Sequence, residues 1–448
     1  MIIAGRRDLI FDICYFFGGD ATIDTVEFKT DFQQEDSLQE LVSIIQHHLG
    51  SVLVCTQRES EIMQKLLQSG YILDNDYFFF SSLRKAFEAK VRMLSAYGVQ
   101  QDEMDLIWNV YDRIFHAPHG RFFPCDHPLY EAEIAEDGQV YLCCSAIMPF
   151  SVGSLQSDSF KNIWNSPRAR LMRLTAINGT AIFCSPERCG WLRFCNEAFP
   201  VVQKQTSDDP LIMNIAVDAT CNLSCASCRT GYICADPGSV QEKCDWLKCL
   251  RGSFYRNVRD IYVAGNGECM VSTVYQFYLV EELPKYFSGN LHLITNGQVW
   301  NQFLIETILD HYCPEVLVSV DAWSRETYET LRRGGKHKTL MENLGKYLNL
   351  RKNSRISTVI VRFVVQHANY REIPLFIDHM RQLGVDRMEF TRLVNGGSFA
   401  DKDFQNASLL SADGVLHPKY LSFFRDNVWP RLGSEVDMDR AYLPLAKL

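Results

Sequence analysis

Three cysteines directly after an apolar segment constrain this chain more than any other feature. Cys221, Cys225 and Cys228 are spaced Cys-x3-Cys-x2-Cys and follow the apolar run at residues 211–217. The run predicts a strand, and the cysteines lie in the loop that leaves it. Soft thiolate ligands select zinc or an iron–sulfur cluster over hard cations. Since three ligands leave one iron of a four-iron cluster open, that iron can bind a small molecule; a zinc knuckle with a fourth ligand from elsewhere is the alternative.

Composition limits the class of protein. A chain of 448 residues predicts two or three domains, and its net charge of -9 argues against a nucleic-acid binder. We expect no membrane span, because no apolar run reaches about 18 residues. The first residues carry their charges after a short apolar stretch, so a cytoplasmic protein is expected. In that compartment the sixteen cysteines indicate metal or cluster binding rather than a disulfide scaffold.

The first 115 residues predict a small α/β domain with connecting helices at residues 84–115. Apolar runs at 1–4 and 51–55 alternate with segments of helical spacing such as 59–69, which favours a parallel sheet. Residues 51–80 resemble the small Rossmann-like domains attached to sugar-modifying proteins. The glycine fingerprint for a dinucleotide is missing, so a docking or substrate-presenting role is expected rather than a nucleotide site.

A second group of cysteines occupies residues 120–200. Cys125 and Cys143 flank an alternating segment around Asp137-Gly138, which predicts a hairpin that brings the two thiols together. Further cysteines follow at 184, 189 and 195. These thiols can hold an iron–sulfur cluster, and a zinc ribbon is the alternative.

Residues 210–400 contain six apolar runs separated by segments of helical spacing. This alternation predicts a parallel sheet, open or closed as a barrel, with its chemistry at the carboxyl ends of the strands. The tail at 401–448 is expected to pack back on the barrel.

Several segments together resemble the radical S-adenosylmethionine (SAM) enzymes that carry a SPASM or twitch module. They are the three-cysteine loop, Ala-Gly-Asn-Gly-Glu at 264–268, Ser-Val-Asp-Ala at 319–322, and the cysteine block that includes Val-Gly-Ser-Leu at 152–155. The resemblance implies a partial (β/α)6 TIM-like barrel at 210–400, here preceded by the module. It also implies a [4Fe-4S] cluster on Cys221, Cys225 and Cys228, bound SAM, and one auxiliary [4Fe-4S] cluster. The auxiliary ligands would be Cys125, Cys143, Cys184 and Cys189, with Cys144 and Cys195 as spare candidates.

The same resemblance assigns residues to SAM. Gly265, Asn266, Gly267 and Glu268 would hold its ammonium group, where small residues allow close approach. Ser319 and Arg332 would contact its carboxylate, which the guanidinium fork suits. Asp321 would form a wall of the active site. Cys269 and Cys313 are candidate hydrogen-atom donors, although buried structural thiols are the ordinary alternative.

The activity implied is reductive cleavage of SAM to a 5′-deoxyadenosyl radical, which abstracts a hydrogen atom from the substrate. The Rossmann-like segment favours a sugar or glycan intermediate, with epimerisation or dehydrogenation as the outcome, and a flavodoxin- or ferredoxin-type protein as the reductant. One alternative is a SPASM-type maturase of a peptide or protein. The other is a non-enzymatic iron–sulfur or zinc scaffold.

Overall fold

A computed structural model describes residues 2–6, 24–28, 39, 41, 43, 52–55, 59–68, 77–79, 125–177, 183–185, 188–189, 209–395, 398–411 and 414–443. The chain divides into two compact units. The first comprises residues 1–129, 164–184 and 198–205, and the second comprises 130–163, 185–197 and 206–448. Within the described residues, no helix has the length and apolar character needed to cross a bilayer.

The first unit contains a parallel sheet of four strands in the order β2-β1-β3-β4. The strands are β1 Ile2–Arg6, β2 Asp24–Phe28, β3 Val52–Cys55 and β4 Tyr77–Phe79. Helix α1, Glu59–Gln68, follows β3 and buries Ile62 and Leu66, which are spaced by one helical turn. The parallel sheet expected here is therefore present. Its Rossmann-like character stays a prediction, and the helices predicted at 84–115 lie outside the described residues.

The remaining described helices are short to medium in length. They are α2 His127–Tyr130, α3 Phe160–Trp164, α4 Pro167–Ile177, α5 Pro237–Lys248, α6 Thr273–Phe277, α7 Leu283–Tyr286, α8 Gln302–His311, α9 Arg325–Leu331, α10 His337–Lys352, α11 Ile373–Leu383, α12 Asp401–Ala407 and α13 Pro418–Phe423. Turns of 3₁₀ helix occur at Gly252–Arg256, Tyr370–Glu372, Trp429–Arg431 and Arg440–Tyr442, and π-helical turns at Tyr278–Glu282 and Phe424–Val428.

The second unit is built on one sheet of ten strands in the order β14-β13-β12-β11-β10-β9-β8-β5-β6-β7. The strands are β5 Glu131–Ile134, β6 Gln139–Tyr141, β7 Gly153–Ser154, β8 Ile212–Ile215, β9 Asp260–Val263, β10 Asn290–Thr295, β11 Glu315–Ser319, β12 Thr358–Val365, β13 Arg387–Arg392 and β14 Val436–Met438. Strands β8 to β13 are neighbours in chain order and all parallel. This confirms the six predicted strands and the mixed α/β class. Closure as a partial (β/α)6 barrel stays a prediction.

The two faces of this sheet differ in polarity. Val359, Val361 and Phe363 of β12 are fully buried, and helix α11 buries apolar residues at helical spacing. On the other face, half-buried polar residues lie side by side on β8 to β11. We call this set the polar row: Asn214, Tyr262, His292 and Glu315.

The predicted hairpin is present and belongs to the ten-stranded sheet. Strands β5 and β6 are antiparallel, and Gly138 in the turn has φ +74°, which glycine adopts at little cost. Strand β5 also pairs with β8 in parallel, with Ile134 opposite Ile215. The hairpin therefore extends the sheet of the following segment instead of forming a sheet of its own.

The tail contributes a strand that the sequence analysis did not predict. Strand β14 pairs in parallel with β13, with Phe390 opposite Met438. Arg392 forms a two-pronged ion pair with Asp439, with N···O distances of 2.7 and 2.9 Å. The tail thus adds a seventh parallel strand beside the six predicted ones.

Candidate active site

The three-cysteine loop leaves β8 at the carboxyl ends of the parallel strands. The backbone N–H of Cys221 donates to the carbonyl of Ile233 at 3.0 Å. The N–H groups of Cys228 and Arg229 both donate to the carbonyl of Cys225, which folds the second half of the loop into a turn. These bonds turn a short loop back on itself.

Two backbone hydrogen bonds tie the loop to the segment at the end of α9. Ser224 N–H donates to the carbonyl of Arg333, and Ala226 N–H donates to that of Leu331, each at 3.0 Å. The Arg333 side chain returns the contact, since its Nε donates to the Ser224 carbonyl at 2.8 Å. The loop is therefore held by chain that comes after β11.

Each of the three cysteine sulfurs accepts a hydrogen bond from a neighbouring side chain. The donors come from different loops at the carboxyl edge of the sheet. The pairs are Asn296 Nδ2 to Cys221 Sγ at 3.7 Å, Arg332 Nη1 to Cys225 Sγ at 3.7 Å, and Arg229 Nε and Nη2 to Cys228 Sγ, both at 3.4 Å.

This donor set suits anionic sulfur. Burial raises the pKa of the Cys221 and Cys225 thiols, while the Arg229 and Arg332 guanidinium groups act in the opposite direction. A bound metal cluster takes the place of the thiol proton, and hydrogen bonds to its sulfurs stabilise it. Within the described ranges, no group of three or more His, Cys, Asp or Glu side chains is arranged so that it could hold a metal ion. The case for a cluster therefore rests on the loop and its donors.

Glu268 is buried, and its carboxylate accepts hydrogen bonds from neighbouring residues of the protein. One oxygen accepts from Asn296 N–H at 2.6 Å, and the other accepts from Thr295 Oγ1 at 2.7 Å and Met270 N–H at 3.1 Å. Burial raises the pKa of this carboxyl group, and the hydrogen bonds oppose the shift. Glu268 thus connects the loop after β9 to the loop after β10. The carboxylate therefore contacts neighbouring protein groups and is not exposed at the surface.

The loop before Glu268 approaches the cysteine segment closely. Gly265 and Asn266 are exposed, and Gly267 packs against backbone: a Cβ added there would lie 2.4 Å from the carbonyl oxygen of Asp218 and 2.8 Å from that of Thr220. Glu268 N–H also donates to the Thr220 carbonyl at 2.9 Å. A small residue is required at Gly267 by the chain's own backbone, and its role in binding SAM stays a prediction.

Asp321 and Arg332 form a buried ion pair beside the loop. Arg332 Nε lies 2.7 Å from Asp321 Oδ2, and the other carboxylate oxygen accepts from Val364 N–H at 2.8 Å. Burial alone would lower the pKa of Arg332, but Asp321 and Cys225 raise it above its ordinary value, so the guanidinium stays charged. Asp321 thus fixes the cation that faces Cys225. Ser319, two residues earlier, is half-buried at the end of β11.

The two candidate hydrogen-atom donors lie in different places. Cys269 is fully buried, and its Sγ donates to the carbonyl of Ile294 at 3.3 Å. Burial raises the pKa of this thiol well above its ordinary value. Cys313 is exposed and lies just before β11, at the amino ends of the parallel strands. Because the cysteine loop lies at the opposite edge, this position does not support Cys313 as a donor.

Three of the candidate auxiliary cysteines belong to the second unit. Cys143 and Cys144 follow β6, and Cys189 lies in a turn that backbone hydrogen bonds connect to the same loop. Ile147 N–H donates to the Cys144 carbonyl at 2.8 Å, Ser185 N–H to the Ile147 carbonyl at 2.7 Å, and Cys189 N–H to the Ser185 carbonyl at 2.9 Å. The structure therefore brings these two cysteine-bearing segments together.

Cys125 and Cys184 belong to the first unit. Cys125 N–H donates to the carbonyl of Ala176 in α4 at 2.9 Å, and Cys184 is buried. Cys195 lies outside the described residues. The auxiliary ligand set stays a prediction.

Residues 118–191 match the family model of the SPASM domain, described as an iron-sulfur cluster-binding domain. This segment is similar to SPASM domains. The match bears out the SPASM part of the resemblance, with its binding of an iron–sulfur cluster. The matched range includes Cys125, Cys143, Cys184 and Cys189 and ends before Cys195.

Several solved structures are similar to parts of the chain. Streptococcus suis SuiB bound to precursor peptide SuiA is 15% identical over 51% of this chain and 49% of SuiB, with a TM-score of 0.36. Native anSMEcpe with bound AdoMet is 15% identical over 51% and 63%, with a TM-score of 0.35. TYW1 with a lysine-pyruvate adduct is 13% identical over 43% and 65%, with a TM-score of 0.28. The chain spans about half of SuiB. No curated protein matches the chain.

Sequence reasoning missed the residues that surround the sulfurs. Arg229 directly follows the last cysteine of the loop, and Asn296 stands in Ile-Thr-Asn-Gly at the end of β10. Both positions were visible in the sequence as neighbours of predicted site segments. Their contacts with sulfur were not, because they depend on how three loops meet at one edge of the sheet.

Proposed function

We propose that the chain is a radical SAM enzyme whose catalytic cluster is held by Cys221, Cys225 and Cys228. The observation that carries the proposal is the ring of hydrogen-bond donors: each of the three sulfurs faces an amide or a guanidinium group. Donors of this kind stabilise the sulfurs of an iron–sulfur cluster. The core would span residues 210–400, with the SPASM module at 120–200, an α/β domain at 1–115 and the tail at 401–448.

The residues near the loop divide between binding and positioning. The exposed backbone of Gly265 and Asn266, together with Ser319, would bind the amino acid end of SAM. Glu268 would position that backbone, because its carboxylate connects the two loops. Arg332, oriented by Asp321, would face the cluster and the SAM carboxylate. When bound, the cluster and SAM supply a 5′-deoxyadenosyl radical, formed with one electron from a flavodoxin- or ferredoxin-type donor.

The half-buried face of the sheet carries polar side chains toward the amino ends of its strands. In the polar row, His292 Nδ1 lies 2.9 Å from Glu315 Oε1 and its Nε2 lies 3.2 Å from Asp260 Oδ1, and the Tyr262 ring stacks on the imidazole at 4.1 Å. The substrate would be a sugar or glycan intermediate, with epimerisation or dehydrogenation as the outcome, because residues 51–80 resemble the small Rossmann-like domains attached to sugar-modifying proteins. Four module cysteines, Cys125, Cys143, Cys184 and Cys189, would hold the auxiliary cluster.

The first test is cleavage of SAM by the full chain. Anaerobically reconstituted protein with dithionite as electron donor is expected to release 5′-deoxyadenosine, and Cys225→Ala is expected to abolish this release. Cys313→Ala is the matched control, because it removes a thiol at the opposite edge of the sheet and should leave cleavage intact. Absence of 5′-deoxyadenosine from iron-loaded protein would contradict the proposal. The substrate is then sought by comparing deoxyadenosine yield with glycans, nucleotide sugars and peptides, and stimulation by peptides alone would overturn the sugar assignment.

A further inference from the structure

We propose that Arg229 is a positioning residue of the catalytic cluster, and that it makes the cluster easier to reduce. This inference rests on the proposed function, since it concerns the same three-cysteine site. Arg229 directly follows Cys228, and its side chain turns back toward the loop. Its Nε and Nη2 both donate to Cys228 Sγ at 3.4 Å.

The same guanidinium connects three segments of the site. Its Nη1 donates to the carbonyl of Ala219, before the loop, at 2.6 Å, and its Nη2 donates to the carbonyl of Asn266 in the loop after β9. One planar group therefore contacts a cluster ligand, the chain leading to the loop, and the backbone proposed to hold SAM. A guanidinium suits this task because its donors have a fixed geometry.

The positive charge has a consequence for electron transfer. One electron added to the cluster makes it more negative, and a nearby cation stabilises the reduced state more than the oxidised state. Hydrogen bonds to cluster sulfurs also shift the reduction potential. Both effects of Arg229 act in the same direction, so its loss should make the potential more negative.

The neighbouring Arg333 provides a matched control. Its Nε donates to the Ser224 carbonyl at 2.8 Å and its Nη2 to the Arg229 carbonyl at 3.1 Å, so the contacts found for it go to the loop backbone. Arg333→Gln removes the same charge and also loosens the loop. If Arg229 only supported the loop mechanically, the two variants would behave alike.

The test is a potentiometric titration with dithionite, followed by electron paramagnetic resonance, on the reconstituted full chain. To isolate the catalytic cluster, each variant is also prepared without Cys143 and Cys144. For Arg229→Gln we expect a potential more negative by about 59 mV, which is a tenfold lower ratio of reduced to oxidised cluster at a fixed potential. Arg229→Lys keeps the charge and should recover part of the shift. Arg333→Gln should show a smaller shift than Arg229→Gln.

The outcomes separate this inference from the proposed function. A parent protein that binds no cluster on the three cysteines would contradict the proposed function itself. Equal potentials in the parent and Arg229→Gln, with iron content preserved, would overturn only the role of Arg229. Equal shifts in the Arg229 and Arg333 variants would also overturn it, because they would reflect loosening of the loop. If Arg229→Gln assembles no cluster, Arg229→Lys decides. Full iron content with a potential equal to the parent's, or more negative by less than about 59 mV, supports a role of charge. Loss of iron there too leaves a structural role and overturns the proposal.

Discussion

Two cysteine-bearing loops of the second unit place their thiols in opposite electrostatic surroundings. In the loop after β8, the sulfurs of Cys225 and Cys228 accept hydrogen bonds from guanidinium groups. In the loop after β6, Cys144 is packed near Glu133, whose carboxylate also accepts from Ser145 N–H at 3.1 Å. Burial and this carboxylate raise the pKa of the Cys144 thiol to about 11. Burial raises the thiol pKa in both loops; the guanidinium groups oppose the shift at Cys221 and Cys225, whereas the Glu133 carboxylate adds to it at Cys144.

The difference shows that cysteine spacing alone does not rank candidate ligands. Both loops leave strands of one sheet, in opposite directions because β6 is antiparallel to β5. Among the described contacts, guanidinium groups reach the sulfurs in the loop after β8, whereas in the loop after β6 the Arg188 guanidinium donates to the Ala146 carbonyl at 3.3 Å.

The largest expected effect comes from removing ligands from each loop in turn. With four irons per cube, the triple variant Cys221→Ala, Cys225→Ala, Cys228→Ala should lower iron from about eight to about four atoms per chain and abolish SAM cleavage. The pair Cys143→Ala, Cys189→Ala should also lower iron, while SAM cleavage persists. Iron and acid-labile sulfide analysis checks both. Unchanged iron content in the triple variant would show that Cys221, Cys225 and Cys228 hold no cluster.

A smaller effect is expected from the buried ion pair that supports the first loop. Asp321→Asn keeps the side-chain shape and leaves the Arg332 cation buried without its partner, which should cost about 3–5 kcal/mol of unfolding free energy. The matched control is Glu306→Gln, whose partner Arg355 lies 3.5 Å away in an exposed pair, and an exposed pair contributes about 0–1 kcal/mol. Urea denaturation measures both variants. Equal small losses would show that Asp321 does not hold Arg332.

The close approach of the loop after β9 can be tested with glycine variants. Gly267→Ala would press a methyl group against the backbone of Asp218 and Thr220, and we expect a loss of about 1–3 kcal/mol in unfolding free energy. Gly231→Ala is the control, because nothing lies within 4 Å of its added Cβ. Thermal unfolding of the two variants gives the comparison. Unchanged stability of Gly267→Ala would mean that the loop after β9 can move away from the backbone of Asp218 and Thr220.

The smallest effect concerns pH and lies away from both loops. Burial would lower the pKa of His292, but hydrogen bonds to Glu315 and Asp260 raise it above its ordinary value. Its contribution to stability is therefore fully present below the unfolded pKa of about 6.5 and is lost as pH rises through the folded pKa. His292→Gln should remove this part of the pH dependence. Urea midpoints measured across the range check it, and an identical pH profile in the variant would contradict it.

Much of the fold follows from local sequence. Six apolar runs gave six parallel strands, and Asp137-Gly138 gave the hairpin turn, because alternation and turn chemistry act over a few residues. The strand β14 was missed because Val436–Met438 is short and pairs only through β13. The pairing of the hairpin with β8 was missed because it joins segments about 80 residues apart in the chain.

The site divides in the same way. Sequence by itself determined that three closely spaced thiols would follow a strand at the carboxyl edge of the sheet, because spacing and strand order are local. Only the tertiary structure decided that Arg229, Asn296 and Arg332 face those sulfurs. It also decided that the Glu268 carboxylate accepts hydrogen bonds from neighbouring loops, and that Cys313 lies at the opposite edge of the sheet. The reason is physical. Electrostatic surroundings and hydrogen-bond partners depend on which loops meet in space, and spacing along the chain does not encode that meeting.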